Sequence, residues 1–416
     1  MSRNIVLNKL ALGVGIALSV CAPLDDAFAN KTDSLHAFTG PDGASSEARL
    51  VADEAGNIYG TTRSGGDFSA CDGDGCGTVF KLAPDGTLTV LHAFGGKGDG
   101  VNPVGGLLID TSGNLFGTTA VGGLANQGTV FKLAPDGTET VIYAFLGGSD
   151  GSQPTATLIA DRAGNLYGTT NAGGHSDVAA NKGTVFRLAP DGTETILHVF
   201  AGGTDGAYPY GGLMADRAGH LFGTTTQGGG SACGGSGCGT VFKLAPDGRE
   251  TILHTFVGGS DGAGPDGAMI ADKAHNLYGV AGRGGASGCN GSGCGIVFKL
   301  AADGTETVLH VFDNSSDGVW PSGTLVAGKS GDLYGITSAG GNAKCHGGTG
   351  CGTVFKLAAD GHEEVLHAFA GGSHGDLPVA GLALVKSGYL YGTTFRGGDM
   401  NCSPGWGCGT IFKVKK

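Results

Sequence analysis

Apolar residues in this chain arrive in short bursts, never in long helical stripes. Residues 104 to 145 show the pattern: "GGLLID", "NLFGTT", "GTVFKLA" and "TETVIYAF" are four runs rich in Val, Ile, Leu, Thr and aromatics. Asp, Asn, Gly and Pro separate them, so each run predicts a strand. "APDGT" (134 to 138) and "DTSGN" (110 to 114) predict tight hairpins, because Asp-Gly supplies the backbone freedom such turns need. After residue 29 no stretch sustains a 3.6-residue apolar period. The chain is all-β.

The four-run unit recurs seven times. "LHAF" and its variants end at Phe38, Phe94, Phe145, Phe200, Phe256, Phe312 and Phe369, 51 to 57 residues apart. A four-stranded meander at that period predicts a seven-bladed β-propeller, in which neighbouring blades bury both faces of each sheet. The ends of the repeat argue for a closed ring. The chain stops on "CGTIFKVKK" (408 to 416), a third strand without its fourth, and the missing "SLHAF" stands at 34 to 38. In a ring the two halves complete the seventh blade; an open array would leave two unpaired edges. Residues 31 to 416 therefore form one propeller, clasped between its ends.

Composition narrows the function. Hydrophobic residues are 40% of the 416 and charged residues 15%, with a net charge of −12 that argues against a nucleic-acid partner. Residues 1 to 29 read as a signal peptide: Arg3 and Lys9, an apolar run at 10 to 22, then "AFA" at 27 to 29. The run is about 13 residues, too short for a transmembrane span. A lipidated Cys21 is the competing reading, with Val20 before it where a small residue is expected. Ten further cysteines fall into close pairs: Cys71/Cys76, Cys233/Cys238, Cys289/Cys294, Cys345/Cys351 and Cys402/Cys408. In an exported chain these predict disulfides; a zinc site would need four ligands from two neighbouring pairs. The expected product is an exported monomer, periplasmic or secreted.

The phrases "GTVFKLAPDGTET", "LHAF", "SDG" and "GNLYGTT", running from residue 34 to 414, resemble the GloVer tandem repeat of exported bacterial proteins that carry varied surface anchors. The resemblance implies export and a repeat architecture. It brings no activity and no catalytic residues.

Candidate chemistry gathers on the face that carries the long loops and every cysteine pair, since binding residues concentrate on loops over a rigid scaffold. The "SDG" loops place Asp99, Asp150, Asp205, Asp261 and Asp317 where a calcium ion is conceivable, near the channel, although Asp capping its own turn is the simpler role. The histidines of "LHAF" read as packing residues. Departures from the repeat are more informative. Tyr208 and Trp320 stand before the loop proline of the fourth and sixth blades; Arg63 and Phe68 of the first blade face Phe395, Arg396 and Trp406 of the seventh across the clasp. Exposed aromatics beside polar groups suit a glycan or a protein partner. The leading expectation is a non-catalytic binding module without cofactor. The alternatives are a metal-dependent hydrolase or lyase at the channel mouth and a purely structural scaffold.

Overall fold

The computed structural model describes residues 32–416 apart from 97, 176–180, 286–287, 315, 386–387 and 404. The leader sequence and Cys21 lie outside the described residues. Seven antiparallel sheets form the blades of one propeller, each a four-stranded meander, with the first strand of blade 5 split into Ala263–Pro265 and Ile270–Ala271. Blade 1 runs Val51–Ala52, Ile58–Thr62, Thr78–Leu82, Leu88–Ala93 from the axis outward. Blade 7 is built from both ends of the chain: Ala383–Leu384, Tyr389–Thr394 and Thr410–Lys415, with Thr32–Ala37 as its fourth strand. Thr32 pairs with Val414, Ser34 with Phe412 and His36 with Ile411, with a bulge between Ser34 and His36. The clasp inferred from the split repeat is present.

Blades cohere through one contact repeated round the ring. The phenylalanine ending each fourth strand meets the third-strand phenylalanine of the next blade edge to face, with centroids 5.0–5.3 Å apart from Phe38–Phe80 through Phe369–Phe412. All are essentially buried, and each such pair adds about 0.5–1.5 kcal/mol beyond the area it buries. The glycine of "LYGTT" follows from this packing: a Cβ on Gly60 would sit 2.6 Å from the Phe80 ring. Six blades add a buried threonine pair between second and third strands, such as Thr62–Thr78 with oxygens 2.8 Å apart. Blade 5 has Ala281 and Ile296 there instead.

One expectation needs correction. The first strand of a typical blade pairs over only two residues, Leu108–Ile109 in blade 2, where the sequence suggests six. The preceding Gly105 and Gly106 leave the sheet to line the axis, where first strands converge. A Cβ on Gly105 would meet the carbonyl oxygen of Ala156 in blade 3 at 2.8 Å. Crowding between blades, rather than strand pairing, sets these residues.

Candidate functional site

The loops entering each first strand and those joining second to third strands share a face. Isolated bridges tie them together, Ala44 to Ser64, Val101 to Val121 and Asp376 to Arg396 among them. The five cysteine pairs are disulfide-bonded in the second-to-third loops, with Cα atoms 5.3–5.8 Å apart. Their second cysteines have a further duty. The carbonyls of Cys76, Cys238, Cys294, Cys351 and Cys408 each accept an N–H from the next blade, donated by Asn102, Gly264, Trp320, Leu377 and Ser45 at 2.8–3.1 Å. The disulfides thus brace the acceptor of an inter-blade latch, and Ser45–Cys408 carries that latch across the clasp. Tyr208 makes the same bond to Lys182. Every non-glycine latch residue has a positive φ of 56–58°, Tyr208, Trp320 and Leu377 included. Asparagine tolerates this conformation, but bulky side chains do so at a cost of order 1–3 kcal/mol. Backbone demands therefore do not select those three side chains.

Five of the seven sequence-predicted aromatic and arginine residues come together. Arg63, Phe68, Phe395, Arg396 and Trp406 line a groove of about 980 Å³ across blades 7, 1 and 2, with Asp72, Asp74, Asn102 and Asn126. Trp406 is 52% exposed and Phe68 47%. The Arg396 guanidinium lies 4.0 Å from the Trp406 ring centroid and 5.9 Å from that of Phe395. Stacking holds the charge over the indole and fixes the ring's orientation. Tyr208 and Trp320 line no part of this groove. Tyr208 is engaged by Lys182, whose ammonium donates to its hydroxyl at 3.0 Å and lies over its ring.

The axial channel, about 550 Å³, opens beside the groove, and Arg63 and Phe395 line both. Its chemistry comes from a column the sequence reading passed over. The residue after the loop proline is Val104, Thr155, Tyr210, Asp266, Ser322 or Val379, with Glu47 at the equivalent place in blade 1. No other column of the inner segment varies so widely in charge and polarity. That variation was the available signal, hidden because these residues read as strand core. Arg49, two residues beyond Glu47, also lines the channel and donates through Nε to the Leu382 carbonyl at 3.1 Å. Arg63 pairs with Glu47 at 2.8 Å. Burial pushes the Asp266 carboxyl up to about 7, against hydrogen bonds from the Gly323 backbone and its own. Its Oδ1 is buried without a hydrogen-bond partner. Tyr210 is 42% exposed, and the partial desolvation of its phenol in the channel, with Glu47 and Asp266 adding to it, raises it to about 12, so the hydroxyl keeps its proton.

The loop aspartates do not form a ring at this channel. Each turns outward to the histidine of the preceding fourth strand and caps its own loop. Asp99 lies 3.1 Å from His92 Nε2 and accepts the Gly95 N–H at 2.7 Å; Asp205, Asp261 and Asp317 lie 3.1–3.3 Å from His198, His254 and His310. Asp150 pairs with Tyr143, the tyrosine that replaces histidine in blade 2. The short loop geometry, with aspartate seven residues after histidine, explains the departure from the expected position. A glutamate from the next blade joins most of these pairs. His92, Asp99 and Glu139, like His198, Asp205 and Glu250, offer ligand atoms within 4.8 Å of one another. Burial pushes Glu139, Glu194, Glu306 and Glu363 up to about 7, and burial with hydrogen bonding to Asp205 takes Glu250 to about 9. Asp205 stays at about 2: bonds from His198, Glu250 and the Ala201 N–H overcome the effect of burial. These clusters are inter-blade contacts in which the Oε1 atoms of Glu139, Glu194, Glu306 and Glu363 are buried without a hydrogen-bond partner. Among the described residues, no group of three metal-ligating side chains gathers at the channel mouth.

A one-component-system assignment from B. thetaiotaomicron has an extracellular domain that superposes with a TM-score of 0.55 at 10% identity, covering 92% of this chain and 39% of that one. A luciferin-regenerating enzyme superposes at 0.45 with 13% identity, covering 77% and 92%, and a protein assigned as a gluconolactonase at 0.41 with 18%, covering 73% and 88%. At these identities the likeness concerns fold alone. No curated protein matches the chain. No helix among the described residues is long and apolar enough to cross a membrane. The profile of the Gloeobacter/Verrucomicrobia repeat matches residues 26–236 and 178–412, and with that match, seven copies of the repeat and the propeller they build, the chain belongs to the Gloeobacter/Verrucomicrobia repeat family.

Proposed function

We propose that this protein is an exported carbohydrate-binding propeller whose groove across the clasp takes a glycan chain. The observation that carries this reading is the exposed Trp406 ring, held by Arg396 in a groove that also contains Phe68 and Phe395. Sugar rings present apolar C–H faces and equatorial hydroxyls. Aromatic walls receive the first, and the carboxylates and amides of Asp72, Asp74, Asn102 and Asn126 receive the second. A concave groove of this volume holds several sugar rings, whereas a protein partner is better served by a flatter patch with a central anchor. Five disulfides fit an oxidising compartment, in keeping with the leader-like N-terminal sequence.

Glycan-array screening followed by calorimetry on the mature chain tests the proposal. Trp406→Ala and Phe68→Ala are each expected to weaken the best ligand at least about tenfold, the scale of a lost aromatic contact. Both rings are exposed, so melting temperatures should stay close to wild type. Unchanged affinity in the double variant would remove the groove from consideration.

A further inference from the structure

The channel beside the groove holds a guanidinium with no ion-pair partner. Arg49 lines it, anchored through Nε to the Leu382 carbonyl of blade 7. Among the described residues, no carboxylate lies within ion-pair distance of its guanidinium. Burial lowers its pKa, and no neighbouring charge offsets that effect. Arg63, the other cation, is already satisfied by Glu47. Opposite, in blade 5, Asp266 presents an oxygen buried without a partner. Thr155 Oγ1 is likewise buried and unpartnered in the channel wall. Buried polar atoms are nearly always hydrogen-bonded, and these two differ from the unpartnered glutamate oxygens of the rim in lining a cavity that also holds Arg49. A cation, an acceptor or acid, and a hydroxyl thus face one cavity.

We propose that the channel is a carboxylate-recognition subsite, and that it takes a uronic-acid residue of a glycan lying in the groove. The inference rests on the groove reading and deepens it by naming the substrate class. The planar guanidinium matches a carboxylate, with Nε committed to Leu382 and the terminal nitrogens left to donate. The ring hydroxyls that surround a uronate carboxylate supply what Asp266 and Thr155 lack. Arg63 and Phe395 line both cavities and give a continuous path from the groove to Arg49. A neutral sugar would leave the guanidinium uncompensated. An anion without hydroxyls would leave Asp266 and Thr155 unsatisfied.

The charge state of Asp266 gives the site a pH signature. Its carboxyl is faced by Tyr210 of blade 4 and, from blade 1, by Arg49, Glu47 and Arg63; the neighbouring blade 6 offers only Ser322 and Thr324. Burial holds the acid near 7, so it is mostly neutral below that pH and repels no bound carboxylate. Binding of an acidic sugar should therefore strengthen as pH falls from 8 to 5.5.

Calorimetry with trigalacturonic acid, its fully methyl-esterified form and free galacturonic acid decides the matter on the wild-type protein. Support is an acid that binds at least about tenfold more tightly than the ester, a preference that grows at pH 5.5. Arg49→Gln should weaken the acid at least about tenfold and the ester much less, erasing the preference, and Arg49→Lys should restore part of it. Trp406→Ala should weaken acid and ester alike. If acid and ester bind equally and Arg49→Gln changes nothing while Trp406→Ala still weakens both, the subsite is overturned and the groove stands. If no galacturonate probe binds while the array still yields a ligand that Trp406→Ala weakens, the subsite is overturned and the groove stands; if Trp406→Ala affects no ligand, both readings fail. Free galacturonic acid binding as tightly as the trimer would mean that a small hydroxy acid, not a glycan chain, is the ligand, and would overturn the glycan form of the proposal.

Discussion

The outer rim and the axis of this propeller are made by the same seven repeats, yet they obey different rules. At the rim, one arrangement returns at five successive blade interfaces: a histidine or tyrosine, the loop aspartate and a glutamate from the next blade, from His92–Asp99–Glu139 round to His310–Asp317–Glu363. At the axis the equivalent positions hold Glu47, Val104, Thr155, Tyr210, Asp266, Ser322 and Val379. A contact needed once per interface must repeat, whereas a single ligand on the axis meets each blade from a different side and favours divergence. Repetition marks folding chemistry; divergence marks the candidate site. The two interfaces of the clasp blade also break the rim rule, with Leu88 and Thr32 where the others carry glutamate. There the repeat gives way to an apolar seam in which Phe38, Phe80, Ile411 and Leu82 pack with Leu35 and Leu88.

That seam is the sharpest place to test the rim. Phe38 is fully buried, contacts Phe80 and belongs to the segment that closes blade 7. Phe38→Ala should cost about 3–5 kcal/mol, the usual range for a buried phenylalanine. The equivalent change at Phe256 removes the same ring from an interface inside the continuous chain. Because the Thr32–Ala37 strand is held to blade 7 only by non-covalent pairing, Phe38→Ala should lower the denaturant midpoint more than Phe256→Ala. Equal losses would mean that the ring does not depend on its clasp.

A smaller effect is expected from the five raised glutamates of the rim together with Asp266 at the axis. Folded-state pKa values near 7 for Glu139, Glu194, Glu306, Glu363 and Asp266, and near 9 for Glu250, lie above the values these groups have when unfolded. The folded chain then holds more protons than the unfolded one, so stability is greatest below about pH 4.5 for these groups and falls as pH rises through 7. His367 opposes the trend, since burial lowers its pKa to about 4 and its contribution grows as pH rises from 4 to 6.5. Six carboxyls outweigh one imidazole. The melting temperature should decline from pH 5.5 to 8.5, and Glu250→Gln, which keeps a donor for Asp205, should flatten the decline. A melting temperature that climbs over that interval would contradict the account of these carboxyls as protonated in the folded chain.

How much of this was legible beforehand depended on whether a feature is written in sequence spacing or in the meeting of distant blades. The blade count, the clasp and the cysteine pairing are matters of period and parity, and they survive in the structure unchanged. The groove was legible because Phe68 and Trp406 interrupt otherwise polar loops on adjacent blades. The channel was not. Its residues lie within apolar runs, and their significance comes from the departure of Gly105 and Gly106 from the sheet, which crowding between first strands imposes. The loop aspartates misled for the converse reason: their link to histidine spans seven residues and two sides of a loop, a geometry that spacing alone does not orient.

The threonine pairs give the finest test of the idea that repeated contacts serve the blade. In blade 6 the hydroxyls of Thr337 and Thr353 bond at 2.8 Å, and Thr337 also donates to the Ala339 carbonyl. Blade 5 does without such a pair because both members are apolar there, Ala281 and Ile296. Removing Thr337 alone strips the Thr353 N–H of its acceptor and the Ala339 carbonyl of its donor, while the Thr353 hydroxyl keeps the Asp317 carbonyl at 3.1 Å; such a loss costs about 1–3 kcal/mol, whereas replacing both partners can be nearly neutral. Thr337→Ala alone should therefore lower stability measurably. Thr337→Ala with Thr353→Ile, which copies blade 5, should recover most of the loss in a denaturant titration. If the double variant is worse than the single one, blade 5 tolerates its apolar pair through surroundings that blade 6 lacks, and the blades are less interchangeable at this layer than their shared sequence pattern implies.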